Sequence, residues 1–212
     1  MSQKFLDLAG LTAYDRMLKE WFKAGVVDIT DDAIRVLFVA PVTGPADNEI
    51  WYTSSDGNVV SPHYDNYFGA TIVSHTYENG KGVITFDGPV TIIGFYAFYN
   101  CYSLTSVTIP NSVTSIGEGA FCGCSSLTSV IIPNSVTRIG ERVFGNCSSL
   151  TSVNIPKSVP SIGSYTFIDC LSLSSITFEG TTEKWNSITK GEKWNLNVPA
   201  TYVQCTDGQV QL

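Results

Sequence analysis

Six cysteines and two histidines are the residues of this 212-residue chain best suited to ligate a metal, carry a redox couple or serve as nucleophile and base. Cys101, Cys124, Cys147 and Cys170 stand 23 residues apart, and Cys122-Gly123-Cys124 has the spacing of half a metal or redox site. A structural zinc site needs about four ligands around one point. Thiols that recur once per repeat fall instead in a line, about 4.7–4.9 Å from rung to rung, and Cys122 has no cysteine one period away. No metal and no cofactor are therefore expected. A disulfide within the line is geometrically open, because bridged Cα atoms lie about 4.4–6.8 Å apart, but a free buried thiol acting as a small apolar side chain is the expectation adopted. His63 and His75 lie far in sequence from the repeated cysteines and serines and are read as surface or hairpin residues. Ser106, Ser129, Ser152 and Ser175 recur in phase. Catalysis needs one unlike set of groups at one place, so an enzyme is not expected. Asp56, Asp87 and Asp207 each precede glycine and read as turn formers, with calcium ligation the lesser alternative.

The element that positions the cysteines is the repeat itself. The 23-residue interval also carries Ile93, Ile116, Ile139 and Ile162; Gly94, Gly117, Gly140 and Gly163; Phe98, Phe121, Phe144 and Phe167; and Leu104, Leu127, Leu150 and Leu173. A fixed period in this range makes each repeat one turn of a solenoid that buries its apolar residues against the turns on either side. Val130 and Ile132 alternate as a short strand with one face inward, and Pro110, Pro133 and Pro156 close three such strands because proline has no N–H for a ladder. Val113 and Ile116 begin the return path, Gly117 permits the turn, and Ala120, Phe121 and Cys124 point inward from a compact irregular or helical segment. Carried backward and forward, the register predicts five stacked strands near residues 84, 107, 130, 153 and 176.

The pattern I-G-x-x-A-F-x-x-C-x-S-L-T-S-V-x-I-P-x-S resembles the BspA-like, bacterial surface antigen class of leucine-rich repeats over residues 83 to 180. The segment from Gly180, with Trp185, Ile188, Trp194 and Cys205, resembles the closing unit that follows such repeats. The resemblance implies a mainly β solenoid with a recognition or adhesion role and leaves the ligand, a protein or a glycan on a cell surface, unspecified. The expected organisation is an anchor or oligomerisation helix over 1–28, a β-rich N-terminal cap over 29–82, leucine-rich repeats over 83–180 and a C-terminal cap over 181–212.

In the N-terminal part, Leu11, Tyr14, Leu18 and Trp21 or Phe22 recur at helical spacing opposite Asp15, Arg16, Lys19, Glu20 and Lys23. This amphipathic helix needs a partner surface, either its own domain or another chain. Phe5 to Trp21 also resembles the start of fibre and tail proteins of phages that infect gut bacteria. That likeness implies a virion-associated protein joined through the stripe to further copies or other virion subunits; the alternative is a bacterial cell-surface module. Met1 to Gly10 has no secretion-signal core as read from this chain. Farther on, Ala33 to Ala40 reads as a buried strand, Asp56-Gly57 as a hairpin turn between Ile50–Thr53 and Val59–Val60, and Asn79-Gly80 as a second hairpin turn. The formal charge of −7 with 12 Lys+Arg and no basic cluster argues against nucleic acid, whose binding draws on concentrated cations. No apolar run approaches the roughly 20 residues of a membrane span.

A binding site is expected where the columns break. Tyr96, Gly119, Arg142 and Tyr165 share one column; Tyr99, Cys122, Gly145 and Ile168 another; Tyr102, Ser125, Ser148 and Leu171 a third. Phe95, Tyr96, Tyr99 and Tyr102 gather aromatics on the first full repeat. With Arg142 and Tyr165 they form the candidate binding set; packing of the aromatics beneath the N-terminal cap is the competing interpretation.

Overall fold

The computed structural model describes residues 44–63 and 67–212. These belong to the compact unit Gly44–Leu212. Leu11, Tyr14, Leu18, Trp21, Phe22 and the Ala33–Ala40 strand lie outside the described residues.

The period of 23 is executed as a β-solenoid in which each turn contributes two short strands. One set, β4 (Ile92–Ile93), β6 (Ser115–Ile116), β8 (Arg138–Ile139), β10 (Ser161–Ile162) and β12 (Thr189–Lys190), forms a parallel sheet in that order. The inward isoleucines are the column Ile93, Ile116, Ile139 and Ile162, all buried. The other set comprises β5 (Leu104–Thr108), β7 (Ser129–Ile131), β9 (Ser152–Ile155) and β11 (Ser175–Phe178). Val107 pairs with Val130, and Val153 with Ile176. Inward Val130 and Ile132 are buried and outward Ile131 is exposed, as the alternation requires.

Between the two strands of a turn, Phe98, Phe121, Phe144 and Phe167 stack face to face, centroids 5.2, 5.5 and 5.5 Å apart and planes within 6°. Their backbone N–H groups donate forward to the next turn, as from Phe98 to the Ala120 carbonyl at 2.7 Å and from Phe121 to that of Val143 at 2.9 Å. The irregular segment is thereby satisfied by stacking rather than by a helix.

The cysteine column lies beside these rings. Cys124, Cys147 and Cys170 donate S–H bonds to the carbonyls of Phe98, Phe121 and Phe144 in the preceding turn, at 3.0, 3.2 and 3.0 Å. All six cysteines are free and buried. Burial, which disfavours the thiolate, pushes Cys101 and Cys170 up to about 12 and holds Cys124 and Cys147 well above the ordinary thiol value. Since the thiolate is the nucleophile, native protein treated with iodoacetamide should stay unlabelled at Cys101, Cys124, Cys147 and Cys170, and unfolding without reductant should release all four. Intact-mass analysis reads the result, and a missing pair of thiols would contradict it.

Three expectations need correction. Val83–Phe86 is not the first rung of the parallel ladder. It lies in β3 (Lys81–Phe86), and β1 (Glu49–Ser54) inserts antiparallel between β3 and β5, pairing Ile50 with Ile84 and Tyr52 with Val107. The sheet order is β2-β3-β1-β5-β7, with β2 spanning Ile72–Glu78. The inward alternation of Ile84 and Phe86 satisfies this antiparallel neighbour as well as it would a parallel one, so phase alone misplaced the strand. Asp56-Gly57 turns the chain without a hairpin, because Val59–Val60 forms no strand. The Asn79-Gly80 turn does join β2 to β3, both residues having positive φ (51° and 80°). Finally, Gly117 serves close packing rather than positive φ: a Cβ there would lie 2.8 Å from the Gly94 carbonyl carbon.

The segment after residue 180 is a further lap of the coil. The offset lengthens to 28 from Gly163 to Gly191 (191 − 163 = 28), and α1 (Thr182–Ser187) occupies the added length. Tyr165, Phe167 and Asp169 donate backbone bonds to Glu192, Trp194 and Leu196, as in every earlier turn. Then β13 (Tyr202–Gln204) extends the β9-β11 sheet in parallel, and β14 (Gln209–Gln211) folds back on it. Trp185, Ile188 and Trp194 are buried here.

Candidate functional site

Each turn crosses the left-handed region of backbone space twice. The second crossing is made by Asn100, Gly123, Asn146, Asp169 and Asn197, at φ between 55° and 78°. These are the residue types that tolerate positive φ. The first crossing is made by Tyr96, Gly119, Arg142, Tyr165 and Lys193, at φ between 50° and 61°. Only Gly119 suits that conformation. A bulky residue held there costs of order 1–3 kcal/mol, so backbone geometry does not account for tyrosine and arginine in this row.

The row is thrown outward. Tyr96 lies between Phe95 and Tyr99, with centroids at 4.3 and 5.0 Å and ring planes at 88° and 83°. The His63 ring is 5.8 Å from Tyr99. Phe95 is 47% exposed while Tyr96 and Tyr99 are half-buried, and with His63 and Tyr67 they line a hollow of about 450 Å³. The Tyr96 ring covers Gly119, where a Cβ would come within 2.3 Å of it, and its hydroxyl donates to Glu118 Oε1 at 3.4 Å. Partial burial, then the Glu118 charge, hold the Tyr96 phenol above its ordinary value. Farther along, the exposed Arg142 guanidinium sits 5.0 Å from the centre of the Tyr165 ring, within cation–π range.

The structure thus brings Phe95, Tyr96 and Tyr99 together, pairs Arg142 with Tyr165, and sets Tyr102 apart. Tyr102 is 60% exposed and makes no ring contact among the described residues.

A second depression adjoins the first and shares Phe95 and Tyr67 with it. This groove, of about 620 Å³, has Gly94, Gly117 and Gly140 along its floor. Phe95, Glu118 and Glu141 form one wall; Ile92, Ser115 and Arg138 form the other. Sequence reasoning missed Glu118 and Glu141, which share a column one period apart, and Arg138, which stands in a column otherwise of Ile92, Ser115 and Ser161. It also missed the left-handed row, although Asn100, Gly123, Asn146 and Asp169 at one spacing were a legible sign that each turn has such positions. Among the described residues no three of His, Cys, Asp or Glu are placed to hold a metal.

Residues 71–189 match, in six copies, a family model described as the BspA type leucine rich repeat region. Among solved structures, a leucine rich cell surface protein of Faecalibacterium prausnitzii is 32% identical over 48% of this chain and 33% of that one, with a TM-score of 0.40. A leucine-rich repeat protein of Bacteroides capillosus is 30% identical over 64% of this chain and 97% of that one, with a TM-score of 0.41. The leucine rich repeat protein of T. pallidum is 27% identical over 56% and 69%, with a TM-score of 0.38. The chain thus spans only about a third of the length of the Faecalibacterium protein. No curated protein matches it.

Proposed function

Because the chain belongs to the BspA-type leucine-rich repeat family, we propose that it is a non-enzymatic binding module of the bacterial cell-surface adhesion or protein-interaction kind, taking a protein or glycan ligand. The observation that carries this is the left-handed row: Tyr96, Arg142 and Tyr165 stand where the backbone favours glycine. Arg142 is exposed and the two tyrosines are half-buried, and tyrosine and arginine are among the residue types enriched at recognition hot spots. Phe95 and Tyr99 enlarge the surface they offer.

The backbone supplies an experiment that separates binding from folding. Arg142→Gly and Tyr165→Gly insert the residue the conformation prefers, so each should change stability by no more than about 1 kcal/mol. Fluorescently labelled full-length protein should bind intact bacterial or animal cells saturably, and the double variant should lose at least tenfold in affinity. Cell binding that is unsaturable, or equal in the two proteins, overturns the proposal.

The Phe5–Phe22 pattern favours a second reading, in which Leu11, Tyr14, Leu18, Trp21 and Phe22 join the chain to further copies or to virion subunits. An exposed apolar stripe of that kind is a liability in a monomer. Gly44–Leu212 is a compact unit in its own right, so on this reading residues 44–212 should sediment as a folded monomer while the full chain sediments as an oligomer. A monomeric full chain removes the main support for the virion anchor.

A further inference from the structure

We infer that the glycine-floored groove beside Phe95 is a subsite for an uncharged oligosaccharide; the inference rests on the binding-module reading and names a ligand class for it. The floor is bare because of packing between turns. A Cβ at Gly140 would lie 2.7 Å from the Glu118 nitrogen, and one at Gly163 2.2 Å from the Gly140 oxygen, so no side chain can rise there. The result is a shallow channel along the solenoid axis whose volume, about 620 Å³, lies within the range of about 300–1,000 Å³ usual for small-ligand sites.

Its walls decide what fits. Phe95, nearly half exposed, offers an aromatic face at one end. Glu118 and Glu141 on one side can only accept hydrogen bonds, and Arg138 on the other can only donate them. Among the described residues the ion pair formed is Lys193–Glu192, at 3.5 Å, so Arg138 makes no direct ion pair with either carboxylate. An anionic ligand would meet Glu118 and Glu141, and a cationic one would meet Arg138; a ligand of either sign leaves a like charge opposed and partly desolvated. A polyhydroxyl chain of no net charge meets all three. Its hydroxyls donate to Glu118 and Glu141 and accept from Arg138, while the C–H face of a sugar ring packs on Phe95. An apolar ligand would instead leave Glu141 and Arg138 without partners and Glu118 with the Tyr96 hydroxyl alone.

Labelled full-length protein applied to an array of neutral, uronate-bearing, sialylated and sulfated oligosaccharides tests this, followed by calorimetric titration of the strongest neutral binder. Phe95→Ala and Glu141→Gln alter exposed walls and should keep the melting temperature. Each should weaken the neutral sugar at least tenfold, and Lys157→Ala, at an exposed position away from the groove, should not. Preference for acidic sugars, neutral binding untouched by both wall variants, or no binding on the array overturns the inference. Should the array fail while cell binding still falls in the Arg142→Gly/Tyr165→Gly protein, the groove assignment is lost and the binding-module reading stands; failure of both removes both.

Discussion

Phe121→Ala is expected to lower stability by about 3–5 kcal/mol, the range for deleting a fully buried phenylalanine. Its ring is inaccessible to solvent and sits between Phe98 and Phe144 at 5.2 and 5.5 Å, nearly parallel to both. Truncation removes contacts on two faces at once. Neighbouring turns cannot slide in to close the gap, because the glycine column already holds their backbones in contact. The loss should spread as well, since each turn of a solenoid rests on its neighbours. Ser129→Ala, on the outward face of β7, should stay within about 0.5 kcal/mol of the parent. Urea unfolding of the two variants side by side checks the pair, and equal losses would mean that inward and outward faces have been exchanged.

The columns were legible because each has one physical job that admits few residue types. Phe98 to Phe167 must stack, Ile93 to Ile162 must point inward from a two-residue strand, and Gly94 to Gly163 must let backbones touch; a 23-residue period written in such residues determines the coil. Outside the period the sequence underdetermines its partners. Ile84 and Phe86 fit any neighbouring strand that offers an apolar face, so nothing in them announced that β1 would insert between β3 and β5. The cysteines were readable as core residues, but their S–H bonds to the phenylalanine carbonyls depend on a turn-to-turn offset of 26 residues that no column displays. In the candidate site, aromatic enrichment marked Phe95, Tyr96 and Tyr99. The groove residues Glu118 and Glu141 stand one period apart and were legible as neighbours, whereas Arg138 joins them only because its strand runs along the other side of the glycine column.

The final lap is where the departure from the period should be measurable. Trp185→Ala is expected to cost about 3–5 kcal/mol, because α1 holds that indole against the Phe178 and Trp194 rings at 5.3 and 5.8 Å with almost no solvent contact. The helix is short and owes its place to few interactions. Thr181 caps it by accepting from the Lys184 N–H at 3.2 Å, Asp207 accepts from the Thr182 N–H at 2.7 Å, and the Lys190 ammonium bonds the Trp185 and Ile188 carbonyls while lying 4.5 Å from the indole centre. Six residues of helix are far below the length that is stable alone, about 12–15 residues, so the indole is what fastens this insertion to the coil. Its removal should release the last lap before the rest. Limited proteolysis of the variant at moderate temperature should cut first within residues 180–212 and leave the earlier turns intact. A variant cut uniformly along the chain would show instead that the last lap and the interior turns unfold as one unit, and a loss below about 1 kcal/mol would show that Trp185 covers nothing the coil needs covered.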